Sequence, residues 1–238
     1  MSSYILEIRR YIDMAKETDY IMPIWLPFLP IILFIVSMIS FAIPFVGLVL
    51  GFVTLTLVLI IGGIISIYVV YKLVKRRNEH FRRTHLLYEN LVNLLREKEG
   101  SSPEVISMQS TLQEMKSEEG EKSAGLYAIL VLFLGVIIWF YVAHFLNKDF
   151  RKHEIREARL LELASNVLRK YGVTMPMKFE KEFPNRSTGL YIVLSIVTLG
   201  IFMLYWVYTL AKDPNEHFKQ HSMIENRLLS ALESAKII

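Results

Sequence analysis

Cysteine is missing from all 238 residues. Its absence excludes disulfides, thiolate metal sites and cysteine nucleophiles. Charge is missing over long stretches. From Tyr20 to Tyr71 there are 52 consecutive residues without Asp, Glu, Lys, Arg or His. Two further windows, Ser123–Asn147 and Ser187–Ala211, each run 25 residues without Asp, Glu, Lys or Arg. A membrane span takes about 20 apolar residues. Catalytic motifs are missing too. There is no Gly-x-Ser-x-Gly, no phosphate-binding glycine loop and no His-Glu-x-x-His. No aromatic-basic nucleic-acid motif occurs. The apolar windows hold no ionisable residue but His144, near the end of its window, which argues against ion-coupled transport.

What is present is an integral membrane pattern. Hydrophobic residues are 53% of the chain and charged residues 21%. That is too apolar for disorder and too charged for a bundle wholly in lipid. The first 19 residues carry both charge signs and no cleavage site follows, so no cleavable signal peptide is expected. Lys72, Lys75, Arg76, Arg77, Arg82 and Arg83 follow the first window, as positive-inside anchors against anionic headgroups would.

The fold class expected is all-α. Four membrane-embedded helical segments alternate with amphipathic cytoplasmic helices. Residues 1–22 form an amphipathic helix, with Ile5, Ile8, Ile12 and Ala15 on one face, lying along the headgroup layer. Residues 23–74 form a membrane helical hairpin, with helices at 24–43 and 47–73 broken at Pro44 and Gly47. Gly47 and Gly51 make a Gly-x-x-x-Gly step for close helix packing. Residues 75–122 carry soluble helices at 75–98 and 104–119, separated by Gly100-Ser101-Ser102-Pro103. The third membrane segment lies in 123–147. Residues 148–186 hold a soluble helix and a linker marked by Gly172, Pro176 and Pro184. The fourth segment lies in 187–211, and a soluble helix in 212–238 starts at Pro214.

Self-comparison adds a three-copy internal repeat. Ser123-Ala124-Gly125-Leu126-Tyr127 recurs as Ser187-Thr188-Gly189-Leu190-Tyr191, and Asn78-Glu79-His80-Phe81 is identical to Asn215-Glu216-His217-Phe218. Each copy holds an apolar segment, an aromatic exit, a basic stretch and an amphipathic helix. Tyr141, Tyr205, Trp206 and Tyr208 read as interface aromatics. Phe81, Phe150 and Phe218 are expected at one level near the membrane. Asn78, His80, Asn215 and His217 are expected near headgroups.

Leu194-Ser195-Ile196-Val197-Thr198-Leu199-Gly200-Ile201-Phe202 with Tyr205-Trp206 resembles the signature of a prokaryotic membrane-domain family of unknown function. The likeness covers about 187–217, and Phe202 stands where that family usually has Tyr. It implies a bacterial or archaeal membrane location and no activity.

Charge counting bears on topology. Lys+Arg number 3 in the N-terminal helix, 10 in 72–122, 10 in 147–186 and 4 in 212–238. If every segment crosses, the positive charge is split between the two sides. If segments three and four bend back, at Gly135 and Thr198–Gly200, all 27 lie on one side. Charge favours the bent form. Segment length fits a straight crossing.

Three His-x-x-x-Glu pairs are the sharpest polar feature: His85/Glu89, His153/Glu157 and His221/Glu225. Spacing of four places each pair on one helix face. They could hold a divalent metal, but Arg82, Arg83, Arg151, Lys152 and Lys219 flank them, and such cations repel an ion. A polar seam between helices, with no metal, catalytic residue or cofactor, is the expectation. The functional expectation is a non-enzymatic integral membrane scaffold or assembly protein of the cell membrane, acting through its cytoplasmic helices. Its partners would be an anionic bilayer and a second copy or another membrane protein, with no nucleic acid. An oligomeric channel or lipid/solute passage is the alternative.

Overall fold

A computed structural model describes residues 3–174 and 177–235. Pro176, one of the three linker markers, lies outside the described residues. The described residues form helices and no strand. In chain order they are α1 (Ser3–Asp13), α2 (Ala15–Thr18), a 3₁₀ turn (Leu26–Phe28), α3 (Leu29–Ser40), α4 (Gly47–Glu99), α5 (Pro103–Glu118), α6 (Ala124–Leu134), α7 (Val136–Arg169), α8 (Thr188–Val197) and α9 (Ile201–Ser234).

The helix starts follow from local chemistry. Ser102, Ser123 and Ser187 cap α5, α6 and α8, each accepting the N–H three residues on. The shared Ser-x-Gly-Leu-Tyr motif is therefore a capped helix start. Three tight turns follow three short helices. The turn between α3 and α4 contains Phe45 at φ 67°. Gly135, at φ 50°, separates α6 from α7, and Leu199 and Gly200, at φ 50° and 91°, separate α8 from α9. Glycine takes the left-handed region without a Cβ penalty.

Each turn folds the chain back on itself. Phe41 meets Phe52 with ring centroids 5.4 Å apart. Tyr127 meets Tyr141 at 5.8 Å and Phe145 at 5.3 Å. Tyr191 meets Phe202 at 4.9 Å and Trp206 at 5.3 Å. The third and fourth apolar windows are thus two antiparallel arms each, not single straight spans. At about 1.5 Å per residue α6 and α8 are roughly 15–17 Å long. Only α4, among the described residues, is long and apolar enough to cross a bilayer.

The outgoing arms do not stop where charge begins. α4, α7 and α9 run unbroken from apolar windows into the charged half, contrary to the boundaries expected at 73–75, 146–148 and 211–214. A change from apolar to basic residues alters the solvent, not the backbone. Pro214 lies inside α9 instead of at its start. It removes the N–H that would bond Leu210, and Arg76 Nη2 donates to that carbonyl at 2.6 Å.

Beyond the arms the helices form a bundle within one chain. Ile5 and Ile8 of α1 are fully buried against a core that includes Leu91, Leu95, Leu228 and Leu232. The stripe on α1 therefore meets protein, not headgroups. A second core, nearer the hairpins, joins Phe81, Phe150 and Phe218 with Trp206. Arg76, Arg77 and Arg83 are buried between elements and so are not headgroup anchors, whereas Lys72, Lys75 and Arg82 stay outside.

Gly47 and Gly51 seat the first turn. A Cβ on Gly47 would stand 2.5 Å from the Phe41 carbonyl oxygen, and one on Gly51 would stand 2.4 Å from the Phe41 ring. The pair is used for packing within one hairpin. Gly47→Ala is expected to lower stability by about 1–3 kcal/mol through overpacking. Thermal unfolding in detergent reads this, and an unchanged midpoint would contradict it.

Candidate functional site

The two cores are separated by a buried polar layer. It is built from three helices: His80, Thr84 and Tyr88 on α4, His153, Glu154 and Glu157 on α7, and His217, His221 and Glu225 on α9. The spacing on α9 is i, i+4, i+8, a single helix face. His80 and His217, expected near headgroups, instead lie at the centre with no exposed surface to speak of. Their registers align with each other in the repeated Asn-Glu-His-Phe motif. That alignment, combined with the α9 face, is the signal that locates them.

Each of the four buried imidazoles presents Nδ1 outward to a carboxylate. His80 Nδ1 lies 3.0 Å from Asp19, His153 Nδ1 2.7 Å from Glu119, His217 Nδ1 3.0 Å from Glu154 and His221 Nδ1 3.0 Å from Glu225. The Nε2 atoms turn inward. His80 Nε2 and His217 Nε2 are 3.3 Å apart. His153 Nε2 lies 3.4 Å from Glu157 Oε1, and His217 Nε2 lies 3.7 Å from Glu157 Oε2. His221 Nε2 contacts Glu157 Oε1, and the Tyr88 hydroxyl donates to the same oxygen at 3.0 Å. One donor atom from each of His80, His153, Glu157 and His217 lies within 4.8 Å of every other. Glu119 also joins His85 and His153 in a second such trio.

Charge in this layer is closely balanced. Burial alone would lower the pKa of His153, but Glu119 and Glu157 outweigh it and push it up to about 9. The same contest at His221, against Glu157 and Glu225, ends at about 10. Burial wins at His80 and His217, both held below the usual imidazole range. Burial would raise Glu157, but His221 and His153 hold it well below the usual carboxylate range. Arg83 ties the layer to the N-terminal segment, donating to Asp19 at 2.9 Å and to Glu225 at 2.6 Å.

Aromatic rings enclose the layer. Phe81 stacks on His153 at 4.1 Å and Phe179 on His217 at 5.4 Å. Phe218 lies 4.7 Å from His80, and Phe150 lies 5.4 Å from Phe81 and 5.8 Å from Phe218. Phe81, Phe150 and Phe218 thus meet at one level. Such a dry cage can hold a proton or an ion in fixed geometry.

The other sequence-derived residues fall in three places. His153, Glu157, His221 and Glu225 form the layer. His85 touches its edge through Glu119 at 2.8 Å. Glu89 lies outside, paired with Lys116 at 2.8 Å, because the α4 face that points inward is His80–Thr84–Tyr88. Tyr141 and Tyr205 are exposed and Tyr208 is half-buried, as interface positions allow. Trp206 is fully buried against Trp139 at 5.1 Å and Phe140 at 5.6 Å, so it is a packing residue and not part of a belt.

Asn78 and Asn215 have a structural task. Asn215 clamps Met22, accepting its N–H at 3.0 Å and donating to its carbonyl at 2.8 Å. Asn78 does the same to Lys122, at 3.1 Å and 2.6 Å. Each clamp fixes the backbone just before a hairpin.

No curated protein and no solved structure matches this chain. Residues 186–234, which contain α8, the Leu199–Gly200 turn and α9 with His217, His221 and Glu225, match the model of a domain of unknown function (DUF4234).

Proposed function

We propose that the protein is a non-enzymatic scaffold of a prokaryotic cell membrane, built from three copies of one unit. Each unit is a helical hairpin whose outgoing arm continues into a cytoplasmic bundle. The observation that carries this reading is the continuity of α4, α7 and α9 through the apolar-to-charged transition. A rigid bundle then sets the spacing of three hairpins in lipid.

The first hairpin reaches across the bilayer, and the other two enter and return. The uncharged part of α4 is roughly 37 Å long, while α6 and α8 reach about half of a ~30 Å hydrocarbon layer. Leu132, near the second tip, lies 3.5 Å from where a Cβ on Gly63 would be, within the uncharged part of α4. Phe45, Phe133 and Leu199 at or near the three tips are largely or fully exposed. Exposed apolar tips suit lipid and not water. Lys72, Lys75 and Lys212 stand over Tyr68, Tyr71 and Tyr208 at 5.8, 5.6 and 5.4 Å, a basic and aromatic collar for anionic headgroups. All charged segments then share the cytoplasmic side. The exposed outer faces of α3 and α4 are where a second copy or another membrane protein would assemble.

Labelling tests this topology in a chain with no native cysteine. Lys98→Cys, Glu162→Cys and Ser230→Cys are expected to react from the cytoplasmic face of sealed vesicles only, and Leu199→Cys from neither face. Reaction of Glu162→Cys from the opposite face would sink the arrangement.

One observation favours a second reading, lipid passage. An apolar cavity of about 400 Å³ lies between the hairpins, lined by Pro30, Gly63, Leu132, Gly135, Trp139 and Leu210 among others. Lipid or solute flux in reconstituted liposomes above that of empty ones supports passage over scaffolding.

A further inference from the structure

We propose that His80, His153, His217 and Glu157 bind one first-row divalent transition-metal ion, with His221 and Tyr88 positioning the Glu157 carboxylate. The inference stands apart from the scaffold reading, because it rests on the polar layer alone.

The first support is the unmet chemistry of inward-facing atoms. His153 Nε2 and Glu157 Oε2 are buried and have no hydrogen-bond partner. A buried polar atom left without a partner is costly in a dry interior. At His80 and His217 a carboxylate faces Nδ1, the arrangement that favours the Nδ1–H tautomer and frees Nε2 to ligate. Their Nε2 atoms face each other across 3.3 Å, a gap that one cation can bridge. A cation placed among these atoms would satisfy the two facing Nε2 atoms and the free Glu157 oxygen together.

The second support is spacing. A metal–nitrogen bond of about 2.1 Å sets tetrahedral donor–donor distances of about 3.4 Å. The inward donors are separated by 3.3 Å from His80 to His217, 3.7 Å from His217 to Glu157 Oε2 and 3.4 Å from Glu157 Oε1 to His153.

The third is the outer shell. Metal-bound histidines characteristically donate the other ring N–H to a carboxylate, which fixes the ring and raises its basicity. Asp19, Glu119 and Glu154 stand in that position on the three imidazoles. Five carboxylates converge here, and among the described residues Arg83 and Arg156 are the guanidinium groups bonded to them. A divalent ion would take the place of the proton that Glu119 and Glu157 otherwise hold on His153. The Arg and Lys side chains that argued against a metal do not face the centre, and the charged ring that does, His221, is held between Glu157 and Glu225. Arg82, Lys152 and Lys219 are exposed, Arg151 is bonded to the Phe183 carbonyl, and Arg83 is consumed by Asp19 and Glu225.

Three imidazoles and one carboxylate without sulfur suit zinc, iron, cobalt or manganese, not calcium, magnesium or copper(I). The closed aromatic cage makes it a structural ion that ties α4, α7 and α9 at one level.

The test is metal analysis of the detergent-purified protein, followed by chelation and reloading with cobalt(II), zinc(II), manganese(II) or anaerobic iron(II). About one equivalent per chain is expected, with visible cobalt d–d bands and a higher thermal midpoint on reloading. His217→Ala and Glu157→Gln are expected to cut the bound metal more than about tenfold, while Glu89→Ala keeps it. If a variant fails to fold, the wild-type reload still decides. A folded, chelated wild type that takes up none of the four ions overturns the proposal. So does an ion that survives His217→Ala and leaves with His85→Ala, which would place it on the Glu119 trio.

Discussion

Arg83→Leu is expected to cost about 3–5 kcal/mol of folding stability, the range for breaking a buried ion pair from one side. The guanidinium lies 2.9 Å from Asp19 and 2.6 Å from Glu225, and it also donates to the Tyr11 carbonyl at 3.1 Å. Two of the three acceptors belong to the N-terminal segment and the third to α9. Removing the side chain strands two buried carboxylates, and leucine offers them nothing. Asp19 retains His80 and Glu225 retains His221, so an imidazolium can offset part of the loss. The outcome should therefore fall at the lower end of the range. Arg83→Lys keeps the charge but cannot span both carboxylates, and an intermediate loss follows from its single ammonium. Denaturant or thermal unfolding of detergent-solubilised protein measures both. A loss under about 1 kcal/mol for the leucine variant would show that the imidazoles, not Arg83, neutralise this layer.

Much of the helical layout was legible because it depends on local chemistry. Serine before an apolar run is a cap, and a glycine, or Pro44 together with Gly47, inside one is a break. Gly135 and Thr198–Gly200 were the available bend sites, and the helices end there. The bundle was less legible. A stripe of Ile5, Ile8 and Ile12 has the same periodicity whether it meets lipid or protein, and only the third dimension tells which. The helices run past the ends of the apolar segments because a change in composition is not a change in backbone. No glycine or proline interrupts α4 near Lys72 or α7 near Lys148, so neither helix has a reason to stop there.

The polar layer was half visible. His153/Glu157 and His221/Glu225 lie on inward faces, and their pairing was read from spacing alone. His85/Glu89 followed the same pattern on a face that turns outward. What decides between faces is the rotation of α4, fixed by burial of Phe81, Thr84, Leu87, Tyr88 and Leu91. The carboxylates that hold the imidazoles from outside come from the connection after α2, the end of α5, α7 and α9. Asp19 is 61 residues from His80, and Glu119 is 34 from His153. No local pattern links them.

Arg76→Met is expected to cost about 2–3 kcal/mol, since a buried acceptor loses its donor, and the loss should depend on Pro214. Proline at 214 cannot bond the carbonyl four residues back. Arg76 Nη2 fills that gap at Leu210, and Nη1 bonds Asn215 Oδ1 at 2.9 Å. Asn215 in turn holds Met22 at the entrance to the first hairpin. One guanidinium thus mends α9 and steadies the segment leading into α3. Pro214→Ala returns an N–H to Leu210, so the helix no longer depends on Arg76 there. In that background Arg76→Met should cost less by about 1 kcal/mol or more, a coupling within the range for residues sharing one network. Four proteins, compared by unfolding under one detergent condition, give the cycle. Strict additivity would mean that the Leu210 carbonyl finds another donor when Arg76 is gone, and that the proline and the arginine are neighbours without being partners.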